Sequence, residues 1–511
     1  MYSDLRKDTA RRLSRPGKEE NSMNKKVIAR IMAAVMSIAM LSGCGSSEKD
    51  GIQKVKLDPE HPVSIKIWHY YNGTQQATFD SLVETFNATK GKDEGIYVES
   101  YSYGSVSDLE QAVSESLSGT VGAEDLPDIF SSYADTAYAV QKEDKLTDLT
   151  QYFSDEELSK YVDSYIQEGY FAQDDSLYLL PVAKSTEIMM INKTDWDKFA
   201  SATGSSLDEL ATIEGVVSVA EKYYNWTDAQ TPDVANDGKA FYGRDAMANY
   251  FVIGMKQMGR DIFEVEDSKV TFNIDKDLIK RLWENYYVPY VKGYFAAYGK
   301  FRSDDVKTGD IIAYTGSTSS TFYFPDKVET DDMSYPIGYV VLDAPVMAGG
   351  EDYKVQQGAG MAVTKSDKEH EYASCEFLKW FTEKENNLKF ICDSGYLPVL
   401  KEANNIDELD KIIEEDSIEV NDKAYECIKK VMNEFDSTMF YTTKNFDNGY
   451  DARNVLNYNM SDAADAARKE VAAASDDESR KAVIEKCTSD EAFDEWYDGF
   501  NSALQEAAGE Q

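Results

Sequence analysis

The chain has 511 residues, with 93 Asp and Glu against 53 Lys and Arg, a formal net charge of −40 at pH 7. That balance argues against a nucleic-acid partner, which needs a basic face to neutralise phosphates, and keeps the body of the protein off an anionic membrane. With 42% hydrophobic and 12% aromatic residues, the chain still has the material for two or three packed domains.

In chain order, Lys25, Lys26 and Arg30 precede an uncharged run from Ile31 to Met40, and Leu41-Ser42-Gly43-Cys44 follows. A basic start, an apolar core of about ten residues and small residues before a cleavage point read as a secretory signal peptide. The run is too short to span a bilayer, which takes about 20 residues. The tetrapeptide resembles the lipobox of bacterial lipoproteins. That resemblance implies acylation of the Cys44 thiol and cleavage before it, leaving the protein anchored by lipid to the outer face of the cell membrane. The signal segment is 23–43, and residues 1–22 read as a mis-assigned start, because Lys18-Glu19-Glu20 can be encoded by a purine-rich ribosome-binding sequence ahead of Met23. Undiminished expression after replacing the Met23 codon with a leucine codon would exclude that start. Without residues 1–43, which hold nine basic and four acidic side chains, the net charge is −45.

Residues 44–59 are polar and charged, a tether from lipid to first domain. Val63-Ser64-Ile65-Lys66-Ile67-Trp68 alternates as a strand. Phe79, Leu82, Val83 and Phe86 fall on one helical face, and Ile96-Tyr97-Val98 restores a strand. Leu109, Ala112, Val113 and Leu117 give a second helix, and Pro127-Asp128-Ile129-Phe130 a third strand. This β-α-β-α-β order implies a mainly parallel sheet flanked by helices, with ligands bound beyond the carboxyl ends of its strands. Those ends are residues 68–73 and 131–135, rich in aromatic and hydrogen-bonding groups.

Residues 178–183 and 188–191 are apolar and flank the polar patch Lys184-Ser185-Thr186-Glu187, as in a strand crossing between two lobes. Residues 205–300 read as largely helical, with Tyr250, Phe251, Ile253 and Gly254 on one helix and Ile279, Leu282, Trp283 and Tyr286 on another. The strand at 311–313 leads into the hydroxyl-rich loop 314–320, and residues 356–363 lead into a helix carrying Phe377, Leu378, Trp380 and Phe381. Beyond Gly395-Tyr396-Leu397-Pro398-Val399 the chain is helical and acidic to its end. Cys375, Cys392, Cys427 and Cys487 show no CxxC pair or zinc spacing and read as buried thiols, with a Cys375–Cys392 bridge left open.

Several segments then fall in a familiar order: Pro127-Asp128-Ile129 with Leu146-Thr147-Asp148-Leu149, Leu180-Pro181 to Asn192-Lys193, Met258 to Phe263 with Val270-Thr271-Phe272-Asn273, and Gly358 to Phe381 with residues 395–399. Together they resemble the extracellular solute-binding proteins of bacterial ABC importers, family 1, similar to maltose-binding proteins, from about 60 to 400. The resemblance implies an α/β bilobed periplasmic-binding-protein fold of type II, two mainly parallel sheets flanked by helices and joined by hinge crossings. Lobe 1 would hold 60–182 and 360–400, and lobe 2 would hold 184–358 and 401–511. It further implies a monomer that captures a carbohydrate in the interlobe cleft and delivers it to separate membrane permease subunits, with no cofactor, metal or catalytic step.

Carried over by position, Ser132, Asp135, Ser185, Gly316, Ser317 and Thr318 face the ligand. Ser132 and Thr318 stand where sugar binders often place tryptophan. Trp68, Tyr70, Tyr71, Tyr133, Tyr314 and Tyr396 then offer rings for sugar C–H faces, and Asn72, Thr186 and Gln357 offer polar groups. At Trp68 and Tyr70, packing and ligand contact stay equally open; Trp283 and Trp380 belong to helical apolar faces, and His69 reads as a packing residue. Asp135 is the favoured contact, because a carboxylate at a strand-end loop accepts two hydroxyls. The rivals are binding of a non-sugar solute and a secreted lipoprotein enzyme acting on glycans, but for the enzyme GxSxG, HExxH and a complete GxGxxG are absent. Residues 233–238 begin like a calcium loop, with Ala235 and Arg244 where oxygen ligands belong.

Overall fold

The computed structural model describes residues 52–171, 175–266 and 269–509. The signal segment, Cys44 and the first half of the tether lie outside the described residues. The second half of the tether is laid against the protein: the Gln53 amide donates to the Gln151 carbonyl at 2.8 Å, and Leu57 packs on the first core.

Two sheets organise the rest. The first runs in the order Ile96–Ser102, Val63–His69, Ile129–Ser132, Gly360–Val363, Leu180–Pro181. Its first three strands are parallel, as the β-α-β-α-β reading expects. The strand Gly360–Val363 returns antiparallel between Ile129–Ser132 and Leu180–Pro181. Helix Gly73–Ala88 covers one face through Phe79, Leu82, Val83 and Phe86, the four positions of its apolar stripe. Phe86 meets Trp380 at 5.2 Å and Phe79 meets Phe381 at 5.3 Å, both on helix Lys368–Thr382. Each such buried ring is worth about 1.5–3 kcal/mol over exposure.

The second sheet has the order Tyr339–Asp343, Glu187–Asn192, Ala313–Ser317, Tyr242–Arg244. Here two of the three pairings are antiparallel. The expectation of two mainly parallel sheets is therefore corrected: both are mixed. Chain that crosses between lobes comes back in the opposite sense, and an apolar run does not encode pairing direction. Glu187–Asn192 is buried at every residue because helices cover both faces.

The lobes join where three segments meet. Ser185 and Gln357 exchange backbone hydrogen bonds of 2.8 and 3.0 Å, and the Lys184 amide donates to the Leu397 carbonyl at 3.1 Å. Gly358 has φ +95°, and a Cβ there would lie 2.7 Å from the Ala183 carbonyl, so the approach of the two crossings requires glycine. Helices Ile406–Asp416 and Asp422–Glu434, placed with lobe 2 from sequence, send Leu409, Ile412, Ile428 and Met432 into the first core. Cys427 and Val431 of the second of these helices join a small cluster with Ile188, Met190 and Leu397. Helix Gly449–Ala473 packs on helices Met247–Gln257 and Lys276–Lys292. Trp283 and Trp380 are core residues, and all four described cysteines are unpaired and buried. No described helix is long and apolar enough to cross a membrane.

Candidate ligand cleft

A cavity of about 320 Å³ lies between the lobes, at the lower end of the roughly 300–1,000 Å³ usual for small-molecule sites. Its first wall is built from the amino ends of two helices and a strand end: Val106, Ser107 and Glu110 of Val106–Ser118, Tyr133, then Ala134 and Asp135 of Ala134–Lys142, with Glu168 beside them. The opposite wall comprises Ala246, Gln356, Gln357, Thr442, Thr443 and Asn445, and a stripe of helix Gly449–Ala473. That stripe is Tyr450, Arg453, Asn454, Asn457 and Tyr458, which repeat every three to four residues and so share one helical face. The other face of the helix buries Ala452, Leu456, Met460, Ala464 and Val471 in the second core.

Charge in the cleft is unevenly matched. Glu168 accepts from Lys184 Nζ at 2.6 Å and from Gln356 Nε2 at 2.8 Å, and Lys184 also donates to the Gly358 carbonyl at 2.7 Å. Burial pushes Asp135 up to about 6; the Arg453 guanidinium opposes that rise and Glu168 adds to it. Burial likewise pushes Glu110 up to about 7, against the hydrogen bond from Thr136 and the pull of Arg453, and with Asp135 adding to the rise. Tyr133 is raised to about 12, chiefly by burial. Behind the wall, Arg453 Nη2 donates to Asn249 Oδ1 at 2.7 Å. The Asn249 amide nitrogen in turn donates to Gln357 Oε1 at 2.8 Å and to Glu187 Oε1 at 2.9 Å. Arg244 completes this chain on Glu187 Oε2 at 2.8 Å. Gln357 is thereby held at the hinge, facing the cavity.

The lobes also touch at two rims. Asp447 accepts from Tyr138 at 3.0 Å and pairs with Lys142 Nζ at 2.9 Å. Elsewhere, the Tyr323 hydroxyl donates to Asn72 Oδ1 at 3.2 Å.

Of the residues expected from sequence to face ligand, Tyr133, Asp135 and Gln357 line the cavity. The others are used differently. Trp68 is buried against Tyr103, with ring centroids 5.1 Å apart. Tyr71 lies in the core among His69, Phe79 and Phe390. The hydroxyls of Tyr70 and Tyr396 meet at 3.3 Å in a buried pair. Ser132 Oγ donates to the adjacent Tyr133 carbonyl at 2.7 Å. Asn72 serves the rim contact and donates to the Gly104 carbonyl at 3.0 Å.

Ser185 and Thr186 are buried in the crossing, and the Thr186 carbonyl accepts from the Thr318 amide at 2.8 Å. Tyr314 is fully buried, stacked on Phe324 and 3.3 Å from Ser320 Oγ. A Cβ at Gly316 would lie 2.8 Å from Asp245 Oδ2. Ser317 caps the short turn that follows, accepting from the Ser319 amide at 3.3 Å, and Thr318 is sealed beneath that turn. His69 is buried and neutral, pushed down to about 4 by burial, in keeping with a packing role. Among the described residues no group of His, Cys, Asp and Glu could hold a metal ion.

Glu110, Glu168 and the helix stripe from Tyr450 to Tyr458 escaped the sequence reading. The signal for the stripe was present as Tyr, Arg, Asn, Asn and Tyr at helical spacing, hidden in an acidic region.

The sequence matches the family described as bacterial extracellular solute-binding protein over residues 81–417. No curated protein matches it. The fold is similar to that of the cyclic alpha-maltosyl-1,6-maltose binding protein from Arthrobacter globiformis, at TM-score 0.59 and 18% identity, covering 88% of this chain and 100% of that one. UgpB from Mycobacterium tuberculosis, in complex with glycerophosphocholine, is similar at TM-score 0.59 and 17% identity, covering 87% and 99%. The maltotriose binding protein of Thermus thermophilus, bound with maltotriose, gives TM-score 0.56 and 14% identity over 87% and 99%. With two sheeted lobes, a hinge of crossing segments and a family match over most of its length, this chain belongs to the bacterial extracellular solute-binding proteins.

Proposed function

We propose that this protein captures a carbohydrate in the interlobe cleft and delivers it, chemically unchanged, to the permease of an ABC importer. In this reading it works as a monomer held to the outer face of the cell membrane by lipid on Cys44. The observation that carries the reading is the convergence on one cavity of polar groups from both lobes: Tyr133 and Asp135 from one, Gln357, Arg453, Asn454 and Asn457 from the other. Carboxylate, guanidinium, amide and phenol groups together accept from and donate to sugar hydroxyls. A ligand that touches both walls favours the closed arrangement by its differential contacts. Several structural neighbours are named for the maltose-type saccharides they bind.

Thermal unfolding against a panel of mono- and oligosaccharides tests this. A ligand at 100 times its Kd raises stability by about 2.7 kcal/mol, a visible shift in midpoint, and the sugar is recovered intact by chromatography. No shift with any sugar, or a shift with glycerophosphodiesters alone, would remove the carbohydrate; a consumed sugar would make the protein an enzyme. Mass spectrometry of protein extracted from membranes checks the anchor: a diacylglyceryl mass on Cys44, lost with release of the protein in Cys44→Ala.

A further inference from the structure

If the cleft takes a sugar, as proposed above, its charge inventory narrows which sugar. Three carboxylates and one guanidinium line the cavity: Glu110, Asp135, Glu168 and Arg453. Glu168 is already matched, by Lys184 at 2.6 Å and the Gln356 amide at 2.8 Å. Glu110 and Asp135 remain, with Arg453 the one side-chain cation among the described lining residues to offset them. Arg453 spends one nitrogen on Asn249, and among the described residues it forms no ion pair with either carboxylate. Asp135 accepts no hydrogen bond from the described residues, and Glu110 accepts one, from Thr136 Oγ1 at 3.1 Å. Because Thr136 is the neighbour of Asp135, that bond ties the two carboxylates to one patch of the first wall. The phenol of Tyr133 lies at the same place, and Asp447, at the rim, is occupied by Lys142 and Tyr138.

The facing wall is neutral apart from Arg453: Thr442, Thr443, Asn445, Asn454 and Asn457 offer hydroxyls and amides. We infer that the cleft selects a saccharide bearing a protonated amine, seated between Glu110 and Asp135, and rejects saccharides bearing carboxylate or phosphate. Burial holds both carboxyls well above the ordinary carboxylate range, the condition of acids that lack a sufficient cation in a low-dielectric site. A ligand ammonium supplies that cation, and the amides and hydroxyls opposite serve the sugar hydroxyls. The net charge of the chain adds a long-range attraction of the same sign.

The test is calorimetric titration of the purified protein at pH 7 with matched sugars: a hexose, its 2-amino form, its N-acetylated form and its uronate. Each is used as mono-, di- and trisaccharide in α and β linkage. The amine form is expected to bind roughly tenfold or more tightly than its hydroxyl and N-acetyl counterparts, and the uronate not to bind. Asp135→Asn and Glu110→Gln should each shrink the amine-to-hydroxyl ratio about tenfold, while circular dichroism and unfolding midpoints confirm that the variants fold. Equal or tighter binding of a neutral sugar overturns this inference and leaves the carbohydrate reading standing. An undiminished ratio in both variants overturns the placement of the amine. Failure of every sugar overturns both readings together.

Discussion

Two regions beside the cleft use their aromatic residues in opposite ways. Behind the first wall, past the end of strand Val63–His69, Tyr71 is 1% exposed and Tyr70 and Tyr396 are buried with it, whereas on the helical wall Tyr450 is 44% and Tyr458 60% exposed. The cause is geometric. Side chains at the end of strand Val63–His69 alternate between two faces, and both faces of the first sheet are covered there, so Tyr70 and Tyr71 are both packed. A helix commits one stripe to the core and leaves the next stripe free. Tyr70, Tyr71 and Tyr396 therefore hold the fold, and the rings on the helix, with Tyr133 opposite them, are open to the cavity.

Truncating one ring from each region sets the contrast at its greatest. Tyr71→Ala removes a ring that touches His69, Phe79 and Phe390 and should cost about 3–5 kcal/mol in urea denaturation. Tyr458→Ala should leave stability within about 0.5 kcal/mol and weaken ligand binding by roughly tenfold through lost stacking. A stable Tyr71→Ala protein with impaired binding would reverse the assignment of the two regions.

Arg453 probes the helical wall more directly. Arg453→Gln should raise Kd about a hundredfold, ~2.7 kcal/mol, and lower stability in urea by about 1–3 kcal/mol, because the buried Asn249 Oδ1 loses its donor. Calorimetry with the ligand found by thermal screening gives the first number and urea denaturation the second. Unchanged affinity would show that the stripe from Tyr450 to Tyr458 does not read the solute.

The same contrast explains what was legible in the sequence. Apolar periodicity located helix Gly73–Ala88 and helix Lys276–Lys292 with their buried faces, since burial alone writes that pattern. It could not separate structural hydroxyls from ligand-binding ones. Ser317, Thr318 and Ser320 form a hydroxyl-rich loop suited to sugar, but the structure spends them on a cap, a sealed turn and a bond to Tyr314. Nor could it find Arg453, whose importance depends on the helix docking against a lobe some 300 residues earlier in the chain. Tyr133, Asp135 and Gln357 were placed beside the cavity because strand ends and crossings are positions set by topology rather than by local composition.

The carboxylates of the first wall invite a pH experiment. The folded-state carboxyl of Glu110 titrates near 7, above its ordinary 4.5. Its contribution to stability is therefore complete below about pH 4.5 and is lost as pH rises through 7. Glu110→Gln removes that loss. At pH 8 the ligand-free variant should be more stable than the parent by about 1–2 kcal/mol, after allowance for partial solvent access. The advantage should vanish below pH 4.5. Guanidinium denaturation at the two pH values measures it, and an advantage independent of pH would assign it to packing instead. A residue proposed to bind ligand, as Glu110 is, that also destabilises its own fold is what a site prepared for a partner predicts.

The smallest effect belongs to the rim, where the walls meet each other rather than a ligand. Lys142 and Asp447 are each about half exposed, so their pair contributes no more than about 0.5 kcal/mol. Yet it joins helix Ala134–Lys142 of one lobe to Asp447, two positions before helix Gly449–Ala473, so whatever it contributes goes to holding the lobes together. Asp447→Asn should leave urea stability unaltered and weaken ligand binding about twofold at low salt. The difference should disappear at 1 M salt, where the screening length falls to about 3 Å. A twofold loss that survives high salt would mean that the Tyr138 hydroxyl bond, not the ion pair, carries the coupling, and Tyr138→Phe would then reproduce it. Equal affinities at low salt would show that the lobes are held by the hinge and the solute alone.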